Sequence, residues 1–201
     1  MRQVNRWPLT SLARWLAAAG PAEPAALIFA IAGRQQRKTY ALELYRQGYA
    51  PRLLLSVGRF EIRRFATLPL PVRVPLRETA AVVPAPERHF FVYFEEGGGE
   101  IERVPAWRLG TLREIRALRN WLTRRPEITS VLVVTSGVHA RRVRLCCDAL
   151  LDRRVAVRLT NAPDPPEGIE NPRDSIWKEV LKLAAYWVWL NSRRIGMRRE
   201  C

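Results

Sequence analysis

Apolar positions along the chain follow two alternating rhythms. "AALIFAIAG" (25–33), "APRLLLSVG" (50–58), "SVLVVTS" (130–136) and "VAVRLT" (155–160) read as strands, the first two with the continuous apolar pattern of strands covered on both faces. The segments "RQQRKTYALELYRQG" (34–48), "GTLREIRALRNWLTRR" (110–125), "HARRVRLCCDALLDR" (139–153) and "SIWKEVLKLAAYWVWLNSRR" (175–194) instead read as helices. An earlier helix, "LTSLARWLAAAG" (9–20), is predicted to start at a Thr10 or Ser11 cap and to close at Gly20-Pro21, and "RFEIRRFA" (59–66) adds a further helical piece. Strands alternating with helices predict an α/β fold, a three-layer α/β/α sandwich around a mainly parallel sheet, with right-handed crossovers.

Residues 68–106 interrupt the alternation. "LPLPVRVPL" and "VVPAPE" are rich in proline, which is confined to sheet edges and loops, and "RHFFVYFEEGGGEIERVPAW" reads as a β-hairpin turning at Gly97, Gly98 and Gly99. This excursion is expected to pack on the main sheet. The 201 residues are then one domain, ending in an acidic loop (161–174), the closing helix and a basic tail (191–201).

Charge sharpens the picture. Lysine and arginine total 34 against 19 acids, a net charge of +15, and only Lys38, Lys178 and Lys182 are lysines. Codon bias accounts for an overall arginine excess as readily as function does, so placement is the informative part. In a parallel sheet, ligands bind beyond the carboxyl ends of the strands, where loops converge and helix N-termini point inward. Three turns predicted at that edge are basic. The first carries Gly33, Arg34 and Arg37; the second Ser56, Gly58, Arg59, Arg63 and Arg64; the third Thr135, Ser136, His139, Arg141 and Arg142. By contrast, residues 65–105 hold four arginines against six acids. Focused positive charge with glycines that admit close backbone approach favours an anionic, phosphorylated ligand.

Each residue also has a plainer reading. Ser136 suits a helix cap as well as a ligand contact. His139, one of two histidines, is predicted in the first helical turn, with Arg142 on the same face, placed to exchange a proton near neutral pH. Cys146 and Cys147 are adjacent on a helix and Cys201 ends the chain, so neither a disulfide framework nor a zinc site is expected. No secretion signal or stretch of bilayer-spanning length is read, which predicts a cytoplasmic protein. Without a recognisable nucleic-acid module, no specific nucleic-acid binding is expected.

Several spaced motifs carry a resemblance. Arg37 and Ala41 form Arg-x-x-x-Ala, and Gly48, Ala50 and Pro51 form Gly-x-Ala-Pro. Thr111 and Glu114 form Thr-x-x-Glu; Thr135, Ser136, His139 and Arg142 form Thr-Ser-x-x-His-x-x-Arg; Glu179 and Lys182 form Glu-x-x-Lys. In this order and spacing, over residues 12 to 190 apart from the excursion, the chain resembles the SanA/ElyC/YdcF family of bacterial domains of unknown function. The resemblance implies a Rossmann-like sheet. It also implies a link to cell-envelope construction through peptidoglycan and undecaprenyl phosphate, or to a ligand such as S-adenosylmethionine or a nucleotide. On this basis Gly33, Arg34, Arg37, Ser56, Gly58, Arg59, Thr111, Thr135, Ser136 and Arg142 are the expected ligand-binding residues. His139 is the expected proton-transfer group and Glu114 its orienting partner or that of a water, in phosphate-ester hydrolysis or transfer. The chain departs from the family pattern at Ala26, where an aspartate is usual, and at Ala32, Arg34 and Val57, where glycines are usual.

A different class of function rests on the last helix. Trp177, Tyr186, Trp187 and Trp189 stand near Arg193, Arg194, Arg198 and Arg199, as in a helix lying on an inner-membrane surface; a closing helix packed on the sheet, followed by a solvated tail, fits the same pattern.

Overall fold

Short buried apolar runs pair as strands here, and the sheet ladder satisfies their backbone polar groups away from water. The structure, a computed structural model, describes residues 7–105, 110–163 and 172–197, and side chains within 11–105, 110–163 and 176–192. In chain order the elements are α1 (Trp7–Leu16), β1 (Leu27–Ala30), α2 (Gln35–Arg46), β2 (Arg52–Gly58), α3 (Ile62–Phe65), α4 (Leu76–Ala81), β3 (His89–Glu95), β4 (Gly98–Arg103), α5 (Gly110–Thr123), β5 (Ser130–Thr135), α6 (Ala140–Leu150), β6 (Ala156–Asn161) and α7 (Pro172–Met197). The strands form one six-stranded sheet in the order β4-β3-β2-β1-β5-β6. β2, β1, β5 and β6 run parallel, while β3 and β4 are antiparallel additions.

Both faces of the sheet are covered, giving the α/β three-layer sandwich expected of a Rossmann-like fold. Alternate residues of β1 and β5 separate onto the two faces. Leu27, Phe29, Val131 and Val133 pack with α5, α6 and α7, whereas Ile28, Ala30, Leu132 and Val134 pack with α2, α3 and α4. Phe91 meets Phe29 edge-on at 5.6 Å and Tyr93 meets Trp121 at 5.0 Å, so the excursion shares the main core. β3 is an interior strand, buried on both sides over its first six residues.

Some local expectations are corrected. α1 begins at Trp7, leaving Thr10 and Ser11 inside the helix, and it ends at Leu16, before Gly20. Gly20 instead forms a parallel bridge with Thr160 and donates its N–H to the Leu159 carbonyl at 3.0 Å. The hairpin turns at Glu96-Gly97, both at positive φ (42° and 81°), as a two-residue loop matching strand twist requires; Gly98 and Gly99 belong to β4. β4 is the exposed edge, with Glu100 near Arg125, Glu102 on Arg124 and Arg103 near Glu87. Most of the acidic loop and the side chains of the basic tail lie outside the described residues.

Phe91→Ala should lower unfolding free energy by about 3–5 kcal/mol in a urea titration. Val82→Ala, at a side chain 85% exposed, should move it by no more than about 0.5 kcal/mol.

Candidate functional site

β1 and β5 are neighbours, and the connection after β1 runs to β2 on one side while that after β5 runs to β6 on the other, so their loops part there. Such a switch point is where an open α/β sheet offers a crevice. Arg37, one turn into α2, spans it. Its Nη1 donates to the Ala32 carbonyl at 2.6 Å after β1, while Nε and Nη2 donate to Ser136 Oγ at 3.1 and 2.8 Å after β5. Gly33 makes this possible. At φ 126°, its missing side chain leaves room for the guanidinium; a Cβ there would lie 2.9 Å from Arg37 Nη1. Burial pulls the Arg37 pKa down and the fields of Glu114 and Glu61 oppose the shift.

Ser136 therefore does not cap the following helix, since its hydroxyl is taken by Arg37 and makes no capping bond. Residues 137–139 form a single 3-10 turn, and His139 is the residue just before α6 rather than within its first turn.

A second cluster ties α5, α6 and α7 together. Arg142 on α6 donates Nε to Glu179 Oε2 at 2.8 Å and Nη1 to Thr111 Oγ1 on α5, with its guanidinium 5.6 Å from the Tyr186 ring centroid. His139 Nδ1 lies 3.1 Å from the same Glu179 oxygen, and Lys182 Nζ is 3.0 Å from Oε1. Burial penalises charge on Glu179, but hydrogen bonds from His139 and Arg142 outweigh it and hold the carboxyl well below its usual range. His139 has its pKa lowered, chiefly by burial, so its ring is neutral at pH 7. A bare Nδ1 lone pair would repel the carboxylate, which fixes the proton on Nδ1 and makes Arg142 Nη2, 3.2 Å from that nitrogen, a neighbour rather than a donor. Nε2 is then the basic nitrogen, and no hydrogen bond to it is found among the described residues. The His139 side chain is 24% exposed, so solvent or ligand reaches it.

Glu114, expected to orient His139, does something else. Its Oε1 accepts the Ala32 N–H at 2.8 Å and the Ser56 hydroxyl at 2.6 Å, fastening α5 to the ends of β1 and β2. Because the Ser56 hydroxyl donates to that carboxylate, His89 Nε2, at 2.7 Å, must carry a proton and donate to Ser56 Oγ. The orienting partner of His139 is Glu179.

His89 was not among the expected site residues. It opens β3 opposite Gly58, and because β3 runs antiparallel to β2, its first residue falls at the edge where the parallel strands end. That register was the available signal. Glu61 was missed as well: it pairs with Lys38, which is 1% exposed, and accepts the Gly58 N–H at 2.8 Å.

The structure thus gathers Gly33, Arg37, Ser56, Thr111, Glu114, Thr135, Ser136, His139 and Arg142 at one edge, with Arg37 and Arg142 committed to internal bonds. The Arg34 guanidinium, half-buried, has no hydrogen bond or ion pair among the described residues. Thr135 Oγ1 is buried without a partner among them. Gly58 sits over Glu61, and Arg59 turns elsewhere, to a cavity shared with Arg63, Arg77 and Arg88. No group of three or more His, Cys, Asp or Glu suited to a metal ion occurs among the described residues. Comparison with family models, with curated proteins and with solved structures finds no match to this chain.

Burial drives the His89 pKa down from 6.5 to about 4, assisted by Arg113 and Lys38 and opposed by Glu61. The unfolded chain therefore takes up a proton at His89 that the folded chain refuses, so folding stability should fall as pH drops from about 6.5 to about 4, by roughly 2–3 kcal/mol from this residue. His139 acts with the same sign. Urea midpoints across that range should flatten in His89→Gln and flatten further when His139→Gln is added.

Proposed function

We propose that the protein binds a phosphorylated or nucleotide-like anion at the carboxyl ends of its parallel strands and uses His139 as a proton-transfer group in phosphate-ester hydrolysis or transfer. The observation that carries this reading is the neutral, Glu179-oriented imidazole, which presents a basic Nε2 at the switch-point edge. The unpaired Arg34 and the orphan Thr135 hydroxyl support it, since both are polar groups at that edge whose needs the fold leaves unmet. Arg37 and Arg142 are positioning residues that hold the two turns, and their charges raise the potential felt by an incoming anion. Proton donation and removal by such a histidine contributes about 10²–10⁴-fold to a rate. The motif order supports assignment to a SanA/ElyC/YdcF-like family and, through it, a role in peptidoglycan or undecaprenyl-phosphate metabolism. S-adenosylmethionine stands as the other ligand that resemblance offers. Thermal-shift screening of nucleotides and soluble isoprenyl phosphates should find a ligand that raises the melting temperature of the wild type, with the rise cut at least about two-fold in Arg34→Ala and in His139→Ala; a rise unaltered in both would place the ligand elsewhere.

A second reading rests on α7. Its inner residues Ile176, Glu179, Tyr186 and Leu190 are buried, yet its outer face exposes Trp177, Leu181, Trp187 and Val188 at 56–70%. Of these, Trp187 lines a cavity of 730 Å³ together with Leu12, Trp15, Arg141 and Arg144, and the Arg141 guanidinium covers the Trp15 ring at 4.2 Å. Exposed indoles beside arginines suit the headgroup region of an anionic bilayer. No described helix is long and apolar enough to cross a membrane, so this contact would be peripheral. Vesicles of phosphatidylglycerol should float the wild type at low salt and leave Trp177→Gln/Trp187→Gln in the soluble fraction; equal flotation of both removes the reading.

A further inference from the structure

The excursion builds a concave surface that the strand-end cluster does not use. Arg59 follows β2, Arg63 lies on α3, Arg77 on α4, and Arg88 just precedes β3; with Ile62, Ala80 and Ala81 they line a cavity of 570 Å³. These four arginines come from four separate places in the chain and converge on one volume. None pairs with a carboxylate among the described residues. The acids nearby are otherwise placed: Glu61 is held by Lys38 and the Gly58 N–H, Glu87 faces Arg103, and Glu78 lines a neighbouring cavity of 790 Å³.

Their present contacts position the guanidiniums without neutralising them. Arg88 Nε donates to the Val83 carbonyl at 2.8 Å, Arg77 Nη2 to the Arg63 carbonyl at 3.3 Å, and the Arg59 guanidinium stands 4.3 Å from the Phe60 ring centroid. Phe60 itself is 82% exposed. Four like charges around a hollow repel one another, and the arrangement is relieved when an anion of similar total charge enters. The guanidinium fork matches phosphate oxygens in pairs, so several arginines lining one volume favour a group with more than one phosphate over a single one. The volume falls in the range of small-ligand sites.

We propose that this arginine cavity is a second anion site and that it takes a polyphosphate group, either free or carried on a nucleoside. It lies on the sheet face covered by α2, α3 and α4, whereas His139, Arg142 and Glu179 lie with α5, α6 and α7, so the two sites stand or fall separately.

Calorimetric titration of the full chain with inorganic pyrophosphate, inorganic phosphate and ADP tests the proposal. Pyrophosphate should bind one to one and at least about ten-fold more tightly than phosphate. Arg59→Ala/Arg63→Ala removes two side chains that make no hydrogen bond among the described residues, and should weaken pyrophosphate at least about ten-fold with the ligand-free melting temperature unchanged. Arg119→Ala/Arg153→Ala, which removes the same charge from exposed positions elsewhere, should weaken it less than about two-fold. Equal weakening by the two double variants would reduce the effect to overall charge and overturn the proposal, as would pyrophosphate binding no better than phosphate. ADP tighter than pyrophosphate, with the gain lost in Phe60→Ala, identifies a nucleotide source; equal binding identifies free polyphosphate. Arg34→Ala and His139→Ala should leave the pyrophosphate affinity intact.

Discussion

Burying a cation is costly unless a carboxylate is buried with it, and this constraint organises the whole carboxyl edge of the sheet. Arg37, Lys38 and Arg142 are each less than a tenth exposed. They are matched by Glu114, Glu61 and Glu179. The carboxylates also do structural work: Glu114 fastens α5 to β1 and β2, Glu61 closes the turn after β2, and Glu179 draws α7 against α6. For Lys38–Glu61 and Arg142–Glu179 the charge balance and the structural connection are the same bond, while Glu114 acts on Arg37 through its field.

The proposed chemistry follows from that balance. With the deep charges compensated, the groups left to act are those with unmet capacity at the rim. His139 is kept neutral by burial and held in one orientation by Glu179, so that its second nitrogen is free to exchange a proton. Glu179, three residues before Lys182 on the last helix, ties the imidazole to α7. The candidate site consequently depends on the closing helix, and the distinction between a helix that packs and a helix that takes part disappears.

The architecture was readable because the central parallel strands β2, β1 and β5 are apolar on both faces and each helix has its own period. Leu27–Ala30, Leu53–Leu55 and Val131–Val134 could hardly be anything but strands. The site was readable in outline, since turns after parallel strands collect at one edge. Its wiring was not. Whether Arg37 meets a ligand or Ser136 depends on tertiary distances that local pattern does not encode, and the same holds for Glu114. His89 was hidden because it lies in a proline-rich excursion that looked peripheral; only the antiparallel register with Gly58 reveals it as a neighbour of Ser56. The glycine turn was misplaced by one residue because three glycines in succession leave the local choice open, and the Glu96-Gly97 pair is settled by strand pairing.

The two lateral strands have a further consequence. β4 carries the charged side chains of Glu100, Glu102 and Arg103, and β6 is shielded at one end by the segment around Gly20. A stray β-strand from a neighbouring molecule finds no inviting template on either flank. Self-assembly by pairing sheets edge to edge is thereby discouraged.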